Sequence, residues 1–520
     1  MSHIKYILFI AALMTSGIDA ALATSVPKIV VNITIDGLRS DYINAFIPIF
    51  GDKGFKKLLN EGKVYSNAEY PNANTNRSAS IATIVTGTVP YDHGIINDRW
   101  LDRNTLRSSS FFDDNKYEGL LTAEKTSATN LLVSTISDEL KVASEGKSIV
   151  FAISPFRDAS VLGAGHAGNG AFWINELTGK WCGSSYYSSM LPSWVTLANN
   201  TYDLNELLNK PWEPVSDLSG NFSYFLSGGI KTPFKHKFTG NSKFKNFITS
   251  ALVNEHVARL ANMCISSTRI GEDDISDYLS ITFYAGTYAG KPLKDCSMEL
   301  QDTYVRLDDA IASIIENTEK KIGKENALFV VTSTGTADTD NSDLSQYRIP
   351  TGNFYINRTA SLLNMMLVAL YGPGQYVEAY SGLQIYLNHQ LLKDKQLSLS
   401  QVLSRCQELL LQSSGVKDVY TSERLLLGAW TPGISKIRNS YNPKCSGDIL
   451  IQIASGWNLI NEDTGEKQPI RECYIPFPII YYGFDNKAQI IETQITTDYI
   501  APTLSKAMRI RAPNGCSIGN

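Results

Sequence analysis

Apolar residues recur along this chain in two alternating patterns. Short unbroken apolar runs closed by Gly, Asp or Pro read as strands buried on both faces, and runs with apolar residues three or four apart read as helices. Ile29–Asp36 is the first such strand and ends in a carboxylate. Gly54–Glu61 starts a short amphipathic helix and Ser80–Thr86 a buried one, with further strands at Ser148–Ser154, Tyr278–Phe283, Ala327–Val331 and Pro478–Tyr482. Cys296–Asn317 sets Leu300, Tyr304, Leu307, Ala310, Ile311 and Ile314 at helical spacing, and Thr497–Leu504 reads as the closing helix. Strands joined by helices at these separations predict an α/β fold, with a mostly parallel central sheet and helices on both faces.

Two stretches interrupt the alternation. Residues 158–250, rich in Tyr, Trp, Ser and Gly (Trp173, Trp181, Tyr186, Tyr187, Trp194), read as an irregular inserted cap. Residues 345–450 read as a small inserted α+β subdomain, with a strand-like piece at Met365–Tyr371 and a helix from Ser400 to Ser413. The core then comprises about 24–157, 251–344 and 451–520.

The first 23 residues have the form of a signal peptide: Lys5, an apolar run from Tyr6 to Met14, and Ala21-Leu22-Ala23 as the cleavage site. That apolar run is shorter than the roughly 20 residues needed to span a bilayer. The expectation is an exported chain, periplasmic or secreted, with no integral membrane segment after cleavage. With 43% hydrophobic residues and a net charge of −4 the chain can build a large core, and the lack of a basic stripe argues against nucleic acid. Seven cysteines show no Cys-x-x-Cys spacing. An oxidising compartment allows some to pair, and the odd count leaves at least one over.

Several motifs resemble the alkaline phosphatase superfamily, nearest the periplasmic phosphate-insensitive alkaline phosphatases and the type I phosphodiesterase/nucleotide pyrophosphatases. They are Thr34–Tyr42, Ile84–Pro90 with His93-Gly94-Ile95, Gly165-His166 with Gly170–Trp173, Asp302–Asp308, Ile500–Leu504 and Pro513-Asn514-Gly515, in family order across almost the whole mature chain. The resemblance implies that family's fold. It also implies a chemistry in which a Thr or Ser attacks phosphorus beside two zinc ions held by three Asp and three His.

Here the resemblance breaks. Asp36 matches the first metal ligand. The second block falls on Thr287-Tyr288-Ala289-Gly290-Lys291, so Thr287 and Lys291 replace an Asp and a His. The third falls on Ser333-Thr334-Gly335-Thr336, and the last His position on Pro476. Counted back from Thr86-Gly87, Arg77 stands at the nucleophile position and Ile81 at its His, while Thr75 and Ser78 are nearby hydroxyls. The phosphate-binding Lys-Asp-Arg falls on Phe156-Arg157-Asp158, and the Asn on Asp98 beside Asn97. The five mature histidines (93, 166, 236, 256, 389) are read as structural or exposed, and Asp338, Asp340 and Asp343 as a solvated acidic loop. Asp36 also has a plain reading, pairing with Arg39 or capping the next helix.

With one of six ligands left, the sequence leans away from an enzyme and towards a non-catalytic member. That reading expects no cofactor and a protein partner in the cell envelope, met through the aromatic cap. Two alternatives stand beside it. One is a metal-dependent phosphomonoesterase or phosphodiesterase using Thr75 or Ser78, with zinc. The other is an anion-binding protein using Arg77, Arg157 and Lys291.

Overall fold

Ile29–Asp36 lies inside the central sheet, buried from Ile29 to Ile35. It pairs in parallel with Ala327–Ser333 on one side and Asp277–Tyr284 on the other, Ile29 standing opposite both Ala327 and Asp277. β-branched residues on both faces explain this position, since each burial is worth roughly 1.5–3 kcal/mol and only a covered strand supplies it twice. In the computed structural model, residues 25–73, 76–215, 234–291, 295–337, 348–428, 431–469 and 474–516 are described. The expected signal peptide, Thr75, and Asp338, Asp340 and Asp343 fall outside them.

Across the sheet the order is Gln489–Ile491, Lys63–Glu69, Phe477–Gly483, Ala327–Ser333, Ile29–Asp36, Asp277–Tyr284, Val150–Ile153, Gly170–Ile174, Trp181–Ser184 and Gly119–Leu120. The strands from Ala327–Ser333 to Gly170–Ile174 run parallel. Phe477–Gly483 is antiparallel to both its neighbours. The mostly parallel α/β sheet expected from the sequence is therefore the one formed. Helices Leu252–Ser267 and Ser297–Ile322 pack together beside it, and the latter buries Leu300, Tyr304, Leu307, Ile311 and Ile314.

The stretch expected as an irregular cap is partly sheet. Its residues Gly170–Ile174 and Trp181–Ser184 extend the central sheet behind the helix Arg157–Ala164. Trp173 and Trp181 are each 1% exposed and Trp194 6%, so these rings are core and offer no contact surface. The second stretch has a core of its own, in which Phe354, Leu363, Leu403 and Ile451 meet. Its sheet has the order Val377–Ser381, Gln384–Leu387, Ile449–Ile453, Val416–Thr421. Met365–Tyr371 is no strand; it is the last half of the helix Ile356–Tyr371.

Cys182, Cys264, Cys406 and Cys445 are buried free thiols. No helix among the described residues is long and apolar enough to cross a membrane.

Candidate active site at the carboxyl ends of the central strands

Parallel sheets of this kind place their chemistry at the carboxyl ends of the strands. Asp36 ends the opening strand there, beside Ser333 and Thr334 on one side and Tyr284 on the other. Facing these ends is the N-terminus of the helix Arg77–Thr86. Asn76 caps that helix by accepting the Ala79 N–H at 2.9 Å, and its amide donates to the Ile96 carbonyl. The cap fixes where Arg77 and Ser78 leave the backbone.

Arg77 joins two carboxylates. Its Nη1 donates to Asp36 at 3.2 Å, and its Nε to Asp158 at 2.9 and 3.2 Å. The guanidinium lies 3.7 Å from the Phe156 ring centre, a cation–π contact that shields one face from water. The oxygens of both carboxylates are further engaged. Thr334 donates its hydroxyl to Asp36 Oδ1 at 2.7 Å while accepting the Gly37 N–H, and Ser78 donates to Asp158 Oδ2 at 2.7 Å. Burial alone would hold the Asp158 carboxyl neutral. The Arg77 charge and the donors Arg77, Ser78 and Ala159 outweigh it and hold the group below the usual carboxylate range. Burial likewise opposes the charge on Arg77, and Asp158 and Asp36 more than restore it.

The three cations considered for anion binding have different partners. Arg157 turns to Asp113 at 2.9 Å, Glu124 at 3.6 Å and the Thr126 hydroxyl. Lys291 is exposed beyond the turn Tyr288–Gly290, its Nζ 5.4 Å from the Tyr288 ring. Arg39 pairs with Asp41, so the expected Asp36–Arg39 pair is replaced by Asp36–Arg77. Asp158 and Thr334 are the site residues sequence reasoning passed over. Both lay in aligned family blocks, and a carboxylate two residues after Phe156, where the block's Lys is lost, was the available signal.

The zinc pair implied by the resemblance does not fit these residues. Among the described residues no group of three His, Cys, Asp or Glu is placed to hold a metal. Asp36 and Asp158 are already bound to a guanidinium, which would stand against any dication. The histidines are elsewhere: His166 on Asp138, His236 on Glu299, His389 on Asp448, and His93 buried beside Thr83. His256 is stacked on Trp181, and its burial keeps it neutral, with a pKa pushed down to about 3.

The chain matches the model of the type I phosphodiesterase / nucleotide pyrophosphatase family over residues 30–474, and it belongs to that family. It is 29% identical to alkaline phosphatase PafA of Elizabethkingia meningoseptica, over 97% of this chain and 96% of that protein. It is 27% identical to alkaline phosphatase PhoV of Synechococcus elongatus, over 95% of this chain and 92% of that one. The crystal structure of PafA superposes with a TM-score of 0.82 at 26% identity, covering 95% of this chain and 98% of the other.

These likenesses overturn the expectation of a non-catalytic scaffold. That reading rested on counting ligand positions, whereas the similarity to named alkaline phosphatases covers 95–97% of the chain. Of the aromatic residues expected to meet an envelope partner, Trp173, Trp181 and Trp194 are buried, and Tyr186 and Tyr187 are half-buried.

Proposed function

We propose that this protein hydrolyses phosphoric esters, monoesters or diesters, at the carboxyl ends of Ile29–Asp36 and Ala327–Ser333. One observation carries the reading: in a chain similar to named alkaline phosphatases along nearly its whole length, a guanidinium, a carboxylate and a hydroxyl (Arg77, Asp158, Ser78) meet at a single helix N-terminus. A phosphoryl group is an anion, and a helix N-terminus favours anions. Among the described residues Arg77 Nη2 has no hydrogen-bond partner, and it is the donor left for a phosphoryl oxygen. Two hydroxyls are available for attack, Thr75 and Ser78. Asp158 is placed to accept the Ser78 proton, the relationship a hydroxyl nucleophile needs. Zinc would supply Lewis-acid activation in a relative built for it, but the donors described here give no step through it. We further read the protein as exported after loss of residues 1–23, to a periplasm or the outside medium.

The test is turnover of nitrophenyl phosphate and bis-nitrophenyl phosphate by the purified mature protein, with and without added zinc. Release of nitrophenol that is lost in Arg77→Gln supports the reading. No turnover of either ester under any of these conditions sinks it.

A further inference from the structure

We propose that Arg77 is a fixed internal cation standing in the electrostatic place of a divalent metal between Asp36 and Asp158, so that this cleft is indifferent to divalent ions. A metal site needs carboxylate oxygens free to turn inward. Here each has a donor: Thr334 on Asp36 Oδ1, Arg77 on Asp36 Oδ2, Arg77 on Asp158 Oδ1, and both Arg77 and Ser78 on Asp158 Oδ2. The carboxylates are largely buried, at 17% and 8% side-chain exposure. Two anions held this close, out of water, require a cation. Arg77 supplies it from the backbone, pinned by the Asn76 cap below and the Phe156 ring against its face.

The planar fork suits the role. A guanidinium keeps its charge at every accessible pH and directs its donors in a fixed planar fork, whereas the three donors of a Lys ammonium rotate about one point charge. Removing it leaves Asp36, Asp158, Ser78 and Thr334 around the space it filled. That is an all-oxygen donor set of the kind hard divalent cations take.

Two measurements test this, and neither reads turnover, so the outcome is separate from that of the hydrolase reading. The first is zinc content and melting temperature of the wild-type protein before and after dipicolinate. We expect substoichiometric zinc and no change in Tm. Stoichiometric zinc, or a Tm that chelation lowers and zinc restores, overturns the proposal. The second compares Arg77→Ala and the closer isostere Arg77→Gln with wild type in millimolar magnesium or zinc chloride. We expect both variants to melt lower than wild type, and the ion to raise the Tm of Arg77→Ala by about 2 °C or more while leaving wild type unmoved. A folded Arg77→Ala that melts with wild type, or that no divalent ion stabilises, also overturns it. Should that variant fail to fold, the wild-type chelation result decides alone.

Discussion

Asp308, on the helix Ser297–Ile322, accepts the Phe55 N–H at 2.6 Å and so caps a helix that lies 253 residues earlier in the chain. It takes the Gly51 N–H at 2.8 Å as well. Gly54, at the N-cap, has no side chain, and a Cβ there would meet Asp308 at 2.2 Å. Asp308→Ala should therefore cost about 1–2 kcal/mol in denaturant unfolding. Burial raises the Asp308 pKa from 3.8 to about 6 despite these amides. The folded state then holds a proton that the unfolded state gives up. The group's contribution is complete below pH 3.8 and is lost as pH rises through 6. The stability of wild type relative to Asp308→Asn should fall across that window and level off above it.

A second pH effect has its source in the sheet that contains Gln384–Leu387 and Ile449–Ile453. His389 Nε2 lies 2.8 Å from Asp448, which also holds Arg103 from the hairpin Arg99–Ser110 at 3.1 Å. The hydrogen bond to Asp448 raises the His389 pKa above 6.5, against the effects of burial and of Arg103. The pair's contribution is thus full below pH 6.5 and lost as pH rises through the raised value. Thermal melts of wild type and His389→Gln should differ most in mild acid and converge in alkali. The histidine is half exposed, so the difference should be small and should shrink further in salt.

Gly87 closes the helix Arg77–Thr86 at φ 66°, in the left-handed region. A Cβ there would come within 3.0 Å of Pro502 and 3.1 Å of Asp498 and Cys516. Gly87→Ala should destabilise by about 1–3 kcal/mol, through strain and by pushing the closing helix Ile500–Met508 off its seat. A lowered midpoint in urea at unchanged slope is the expected signature.

The two candidate hydroxyls should separate by what their loss affects. Ser78 is 1% exposed and committed to Asp158. Ser78→Ala should cost about 1–3 kcal/mol of stability by stripping a buried carboxylate of a donor, and should lower turnover at least about a hundredfold. Thr75→Ala should keep turnover within about tenfold. The reverse pattern would assign the attack to Thr75.

How much of this was legible depended on whether a signal was local. Ile29–Asp36 is apolar on both faces and stops at Asp-Gly, so its place in a covered parallel sheet follows from the run itself. Met365–Tyr371 misled for a similar reason. Nearly every residue in it is apolar, which erases the period that tells a helix from a strand. The helix shows only in burial: Ile356, Ala360, Leu363 and Leu367 face inward while Leu362, Met365 and Leu370 are exposed. The aromatic segment misled in another way. Composition marks Trp173 and Trp181 as notable but does not say whether they face out or in. At the site Asp36 was legible from its strand end, yet its partner was not. Arg39 was near in sequence, and Arg77 becomes near only when a capped helix is carried over the strand ends.

The strand Phe477–Gly483 slots between Lys63–Glu69 and Ala327–Ser333, so the interior of the sheet is finished by a strand that comes later in the chain than either of its neighbours. Until it arrives, both neighbours present a raw edge of unsatisfied amides and carbonyls. A chain cut short before residue 477 is thus an adhesive fragment rather than a smaller working version. The sheet stays open along this seam until Phe477–Gly483 arrives, a non-local pairing of the kind that slows assembly.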